Sequence, residues 1–284
     1  MIGAVGGNLV VMNKPRSLIL DLYGDYLRYI DSEIRAGDLV SLLDVFGVEP
    51  ATTRVTLSRL RQEGWFTTRK VGRETRYRLS DELFAILDEG RERIFAPYPA
   101  VWDGWWTQVV FQLPEGARVQ RDQLKKRLSW LGFGSLTTGV WLSPRTFPDG
   151  LSELRATYPD ASVEVLRTRS DDAEQDRRLV ARCWDVDELN RDYIRFIEQH
   201  EDLVPTARSL TGADALIGCV SLISTYRHFP FRDPSFPRVL RPVGWRGAEA
   251  HELFLTLHEA IEPAATRYVR EVVEARLSPA ATAV

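Results

Sequence analysis

Residues 50–79 read PATTRVTLSRLRQEGWFTTRKVGRETRYRL. Pro50 suits the first turn of a helix, where its missing N–H leaves nothing unsatisfied. Thr53, Thr56, Leu57 and Leu60 recur at i, i+3, i+4 and i+7, which predicts a helix to Gln62 with one buried face, ending near Gly64. That register turns Thr52, Arg54, Val55, Ser58, Arg59 and Gln62 outward. Two β-like stretches follow, Trp65–Arg69 and Thr75–Leu79, around a loop Lys70–Glu74 with Gly72 at its centre, which is a hairpin signal. Residues 50–80 carry eight Lys/Arg against two acids, in a chain whose net charge is only −3. The pattern is that of one basic module inside a mildly acidic protein.

Upstream, Leu39, Leu42, Leu43 and Phe46 predict a helix over Asp38–Phe46, stopped by Gly47. An earlier helix carries Leu18, Leu22, Tyr26 and Tyr29, with Ser17 as its expected cap. The connector 31–37 has room for one short strand. Two helices joined by a short turn and followed by a basic hairpin constitute a winged helix-turn-helix, expected over 14–96, in which the second helix of the motif enters the major groove. Arg reads guanine O6 and N7 together, Thr and Ser reach several base edges, and Val meets a thymine methyl. Arg69, Lys70, Arg73 and Arg76 on the hairpin suit phosphates, which position more than they specify. A basic module that binds protein instead of DNA is the alternative left open by spacing alone.

Downstream, a helix is expected over 81–95, with Pro97 and Pro99 as a linker. The order strand 105–113, helix 117–131, strand or hairpin 133–143, helix 147–157, strand 162–168 suggests a ferredoxin-like sandwich over 97–175. The polar stretch 170–178 reads as a second linker. A helical domain, 176–284, follows, with helices near 182–203, 206–227 and 246–276 and a Pro-rich interruption at 230–244. The fold class is therefore α+β. Residues 1–13 are expected to be a flexible extension. They lack the charged n-region of a signal peptide, and no apolar run reaches the ~18 residues of a membrane span. Cys183 and Cys219 are the only cysteines, too few for a disulfide framework or a zinc site of usual spacing. Cys219 sits in an apolar run and is expected to be buried. A cytoplasmic protein without a cofactor is expected.

Several runs together resemble the PaaX-type repressors. They are Pro15–Arg28 (PRSLILDLYGDYLR), Thr53–Leu60 with Gly64-Trp65, Gly72-Arg73, WDGWW at 102–106, WLGFG at 130–134, WLSP at 141–144, and Tyr226-Arg227 with Asp233-Pro234, Pro237, Pro242 and Trp245. Their order spans about 15–260. The resemblance implies a winged helix, a middle domain similar to Cas2, a helical C-terminal domain and a homodimer on a palindromic operator. It further implies repression of an aromatic catabolic operon and release by an aromatic acyl-coenzyme A such as phenylacetyl-coenzyme A. Ser224 and Thr225 stand where the family often has a His and an acidic residue; if that stretch touches ligand, the effector differs. The first strand of the middle domain, 105–113, holds no carboxylate, so metal-dependent DNA cleavage is not supported.

A coenzyme A thioester needs basic groups for phosphate and an apolar pocket for its acyl end. Candidates are Arg118 and Arg121, on a helix that also carries Lys125, Lys126 and Arg127, together with Trp105, Trp141, Tyr226, Arg227, Asp233 and Trp245. Each has a plainer reading: a solvated helix face, aromatic packing, or an Arg227–Asp233 pair holding the Pro-rich loop. Other function classes are a repressor with another aromatic ligand, an RNA-binding module and a metal-dependent hydrolase. No nucleophile elbow, P-loop or His-Glu-x-x-His motif is present, and no enzyme activity is expected. His251, His258 and Glu262 form the best metal set, on a helix whose core face is Phe254, Leu257 and Ile261. A polar solvent face is the reading preferred for them.

Overall fold

The computed structural model describes residues 14–99, 101–147 and 151–275, so the expected extension 1–13 lies outside the described residues. The chain divides into two compact units that do not follow sequence order. One holds the chain up to Phe95, Glu198–Tyr226 and the chain from His251 onward; the other holds Ala96–Ile197 and Arg227–Ala250. The expected C-terminal domain, 176–284, is thus shared between them.

The first unit begins with α1 (Pro15–Asp25), β1 (Ile34–Arg35), α2 (Ala36–Asp44), α3 (Pro50–Gln62), the hairpin β2 (Phe66–Val71) and β3 (Glu74–Leu79), and α4 (Asp81–Phe95). Pro15 opens α1 and Lys14 occupies the cap position, not Ser17 as expected. Leu18, Ile19, Leu22 and Tyr23 of α1 are buried with Leu39, Leu42 and Leu43 of α2 and Thr53, Leu57 and Leu60 of α3. Gly47, at φ 74°, supplies the left-handed turn after α2. The hairpin runs in register from Phe66↔Leu79 to Val71↔Glu74. Its turn is therefore only Gly72-Arg73, shorter than the loop expected. Positive φ is confined to Gly72, the type II′ pattern that matches strand twist. β1 adds to the far side of β3, giving the order β1-β3-β2. Tyr23 ties α1 to the hairpin: its ring lies 4.9 Å from Phe66 and its hydroxyl donates to the Tyr77 carbonyl at 3.2 Å.

Two later helices complete this unit, α9 (Gly212–Tyr226) and most of α10 (Gly247–Glu274). Cys219 is fully buried in α9, as expected. Arg35 donates through Nε to Asp38 at 2.8 Å and through Nη2 to the Val273 carbonyl near the end of α10 at 2.7 Å. Ser224 contacts Asp21 of α1 at 3.4 Å, and Thr225 donates back to carbonyls of its own helix. That stretch is therefore packed interior. The two histidines of α10 also face inward, which corrects the solvent-face expectation. His251 is 7% exposed and its Nδ1 lies 2.8 Å from the Tyr226 hydroxyl. His258 packs on Phe95 and Phe254, with centroids at 4.8 and 5.9 Å. No group of three or more metal-ligating residues occurs among the described residues.

Burial pushes the His258 imidazole down to about 4; Arg91 adds to the shift and Glu262 opposes it. In the unfolded chain the same group takes its proton near 6.5. The unfolded state binds more protons between those values, so stability falls as pH falls through that window. We expect a loss of about 2 kcal/mol between pH 7 and pH 5, with His251, also lowered by burial, acting in the same direction. His258→Leu should flatten this dependence in urea midpoints measured across the window. An unchanged slope would show that His258 does not carry it.

The second unit contains β4 (Trp106–Gln112), α5 (Arg118–Trp130), β5 (Gly134–Thr137), β6 (Val140–Ser143), α6 (Ser152–Thr157), β7 (Ser162–Thr168), α7 (Ala173–Cys183) and most of α8 (Val186–His200). The strands form one antiparallel sheet in the order β5-β6-β4-β7. Alternation along the strands sends Val109, Phe111, Trp141 and Val163 to the face covered by Leu124 and Leu128 of α5 and Leu154 of α6. Trp106 and Leu142 point to the opposite face, against Val180 and Trp184 and against Phe236 and Leu240 of the Pro-rich loop. The stretch 170–178 is no linker. Asp172 caps α7, accepting from the Gln175 N–H at 2.7 Å, and Asp176 is buried, accepting from the Trp106 indole at 2.7 Å. The helix hides few residues, which is why composition concealed it.

Candidate nucleic-acid interface

The packing of α3 through Thr53, Leu57 and Leu60 decides which residues it displays. Thr52, Arg54, Val55, Arg59 and Gln62 are exposed and Ser58 is half-buried. Val55, an apolar residue, is 50% exposed on this otherwise polar face. Thr56, assigned to the buried face by periodicity, is half-buried and donates to the Thr52 carbonyl at 2.8 Å. On the hairpin, Lys70 and Arg73 are exposed, with Arg73 at the turn itself. Arg54, Arg59, Lys70 and Arg73 have no ion-pair partner among the described residues.

Two hairpin residues differ from that simple picture. The Arg69 guanidinium grips Glu33, with Nη2 to Oε2 at 2.5 Å and Nε at 3.0 Å from both oxygens. This bond holds the Glu33 carboxyl below its usual range. Arg69 is thereby committed to the connector before β1, a partner 36 positions away that local spacing could not reveal. Arg76 is half-buried and stands opposite Arg35 in the β1–β3 register. Its Nε is enclosed without an acceptor among the described residues. Arg16, missed in the sequence reading, braces the end of α3: it bonds Glu63 at 2.5 Å and lies 4.4 Å over the Trp65 ring.

The eight effector candidates are divided between the two units. Tyr226 belongs to the first unit and the other seven to the second. Tyr226 is buried, stacked on Phe254 at 4.1 Å. Trp105 is 40% exposed, with the Arg167 guanidinium 5.6 Å over its ring. Arg118 is exposed on α5, whereas Arg121 donates to the Leu113 and Pro114 carbonyls that precede it. Arg227 is half-buried. Asp233 accepts at Oδ2 from Tyr98 (2.6 Å) and Tyr193 (2.8 Å) and at Oδ1 from the Ser235 (2.7 Å) and Phe236 (3.2 Å) N–H groups. Burial pushes its carboxyl up, against those four donors. Asp233 thus organises the Pro-rich loop through Tyr98, Tyr193 and the Ser235 and Phe236 N–H groups. Trp245 packs edge-on to Tyr193 and Phe236. Trp141 is 6% exposed in the sheet core and lines a cavity of about 320 Å³.

Comparison with known proteins covers most of the length. Residues 14–83 match the family described as PaaX-like protein, 99–180 the PaaX protein central Cas2-like domain, and 184–271 the PaaX-like protein C-terminal domain. The chain is 32% identical over 267 residues to the transcriptional repressor PaaX of Escherichia coli (strain K12), covering 90% of this chain and 83% of that protein. Among solved structures it is similar to the uncharacterized protein Rv0674 from Mycobacterium tuberculosis. There the TM-score is 0.60 at 23% identity, over 90% of this chain and 98% of the other, which speaks to the fold alone. Three consecutive domain matches and a relative aligned over nearly the full length make this chain a member of the PaaX family.

Proposed function

We propose that this protein is a DNA-binding transcriptional repressor of a catabolic operon, released from its operator by a small-molecule inducer. In this reading α2, α3 and the β2–β3 hairpin are a winged helix-turn-helix, and the β4–β7 sheet with α5 and α6 is a ferredoxin-like middle domain. Thr52, Arg54, Val55, Ser58, Arg59 and Gln62 read base edges in the major groove, and Lys70 and Arg73 contact phosphates. Arg69 and Arg76 play a supporting part, since Arg69 already serves Glu33. The observation that carries the reading is the set of exposed guanidinium groups on α3 and at the wing turn that have no ion-pair partner among the described residues. Exposed, unpaired cations on a reading helix are what a polyanion requires.

In the same reading the repressor acts as a homodimer on a palindromic site, which the resemblance to PaaX-type repressors supports, with half-sites one or more helical turns apart, about 34–36 Å per turn. The inducer is an aromatic acyl-coenzyme A or a related aromatic ligand. It must bind the form unable to hold DNA more tightly than the form that holds it, because equal affinity shifts nothing. The test is to map protection on the DNA flanking its own gene and to titrate coenzyme A thioesters and aromatic acids against the footprint. A palindromic footprint lifted by one of them is expected. Binding to RNA with no protection of any such DNA would overturn the reading.

A further inference from the structure

Two cavities of the second unit meet at the turn between α7 and α8, and Cys183, Trp184 and Asp185 line both. The larger, about 600 Å³, is bounded by Arg177 and Arg182 of α7 and by Leu240 and Pro242 of the Pro-rich loop. The smaller, about 320 Å³, is bounded by Phe133, Trp141, Phe231 and the pair Glu188–Arg232. Their chemistries differ. Arg232 bonds Glu188 at 3.1 Å and also Asp192, so the one guanidinium of the smaller cavity is engaged, and Phe133, Trp141, Trp184 and Phe231 give its other walls an aromatic part. In the larger cavity Arg177 and Arg182 are exposed and neither has an ion-pair partner among the described residues. Asp185, by contrast, is occupied as the cap of α8, accepting from the Glu188 N–H at 2.9 Å.

The divider between the cavities is held in place. Trp184 stacks on Trp106 at 6.3 Å and meets Phe236 edge-on at 5.2 Å. A Cβ at Gly134 would come within 2.5 Å of the Trp184 ring and 2.7 Å of the Cys183 carbonyl, so β5 needs glycine there for this approach. A packed tryptophan partition with an aromatic-walled cavity on one side and, on the other, the exposed Arg177 and Arg182 guanidinium groups beside Asp187 makes a two-ended site.

We infer that this corner binds an amphiphilic anion, its aromatic end in the smaller cavity and its phosphate-bearing end against Arg177 and Arg182, reaching across Cys183. The smaller volume suits a single substituted ring, at the low end of the ~300–1,000 Å³ of ligand sites. Planar guanidinium forks suit phosphate oxygens. An aromatic acyl-coenzyme A has both ends, and a free aromatic acid has only the first. The assignment rests on the inducer reading and adds the place and the polarity of binding.

Cys183 provides a readout separate from DNA release, because it is partly exposed whereas Cys219 is buried. Burial pushes the Cys183 thiol up to about 11, so its alkylation is slow enough to follow. With the full-length protein, phenylacetyl-coenzyme A should slow iodoacetamide modification of Cys183 about ten-fold or more at saturation, and phenylacetate much less. Arg177→Ala/Arg182→Ala should weaken thioester binding in calorimetry by roughly ten- to a hundred-fold, the scale of two charge-assisted contacts, with ligand-free DNA affinity unchanged. Release of DNA by the thioester with Cys183 modified at its original rate would overturn this site while leaving the repressor reading intact. Equal protection by phenylacetate would overturn the anion end. Absence of any thioester binding would overturn the site, and the DNA footprint would then judge the repressor reading by itself.

Discussion

Arg35→Ala is expected to lower the stability of the first unit by about 3–5 kcal/mol, the range for removing one partner of a buried ion pair. Arg35 is 8% exposed and Asp38 is 1% exposed. The substitution strips a buried carboxylate of its guanidinium and removes the donor to the Val273 carbonyl, 238 positions along the chain. The cost arises from the charge left behind more than from the pair itself. Arg35→Met/Asp38→Asn should therefore recover a large part of it, since replacing both members removes the uncompensated charge. Urea unfolding of the full chain gives the midpoints, and hydrogen exchange should show the last turn of α10 opening first in the single variant. A loss below about 1 kcal/mol, the scale of an exposed pair, would mean that this contact does not fasten α10 to the β1–α2 corner.

Arg54→Ala/Arg59→Ala should reduce operator affinity by roughly 30-fold to 10⁴-fold, taking about 1–3 kcal/mol for each bidentate base contact. Neither residue packs on the core, so the melting temperature should stay within the small range of surface substitutions. Lys70→Ala/Arg73→Ala should act differently. If both touch phosphate, specific and non-specific DNA lose affinity together, and the slope of log K against log salt becomes shallower by about 0.9 per lost contact. Anisotropy titrations on operator and scrambled duplexes, each at several salt concentrations, separate the two. Equal losses on both duplexes for the α3 variant would remove the base-reading role and leave α3 a backbone contact.

Much of the first unit could be read locally. Pro50, the i, i+3, i+4, i+7 pattern of α3 and the glycine at the hairpin turn dictate backbone conformation through sterics within a few residues, and the structure has α3 at Pro50–Gln62 as read. The βαββαβ order of the second unit was legible for the same reason: strand alternation and helix periodicity are short-range patterns. The misread stretch was α7, where polar composition suggested a linker. Only its cap at Asp172, its Val180 and the bond from Trp106 to Asp176 mark it as a packed helix, and the last of these joins residues 70 positions apart.

What could be read from order alone is therefore most of the elements, the outward face of α3 and the family to which their arrangement belongs. The tertiary structure decided which charges are free. Arg69 and Arg73 look alike in sequence, yet one is engaged by Glu33 and the other has no partner among the described residues. It also turned His251 and His258 inward, because the buried face of α10 depends on Tyr226 and Phe95 arriving from distant segments. Backbone conformation is set by neighbours in the chain, whereas the protonation, pairing and accessibility of a side chain are set by whatever packs against it through space.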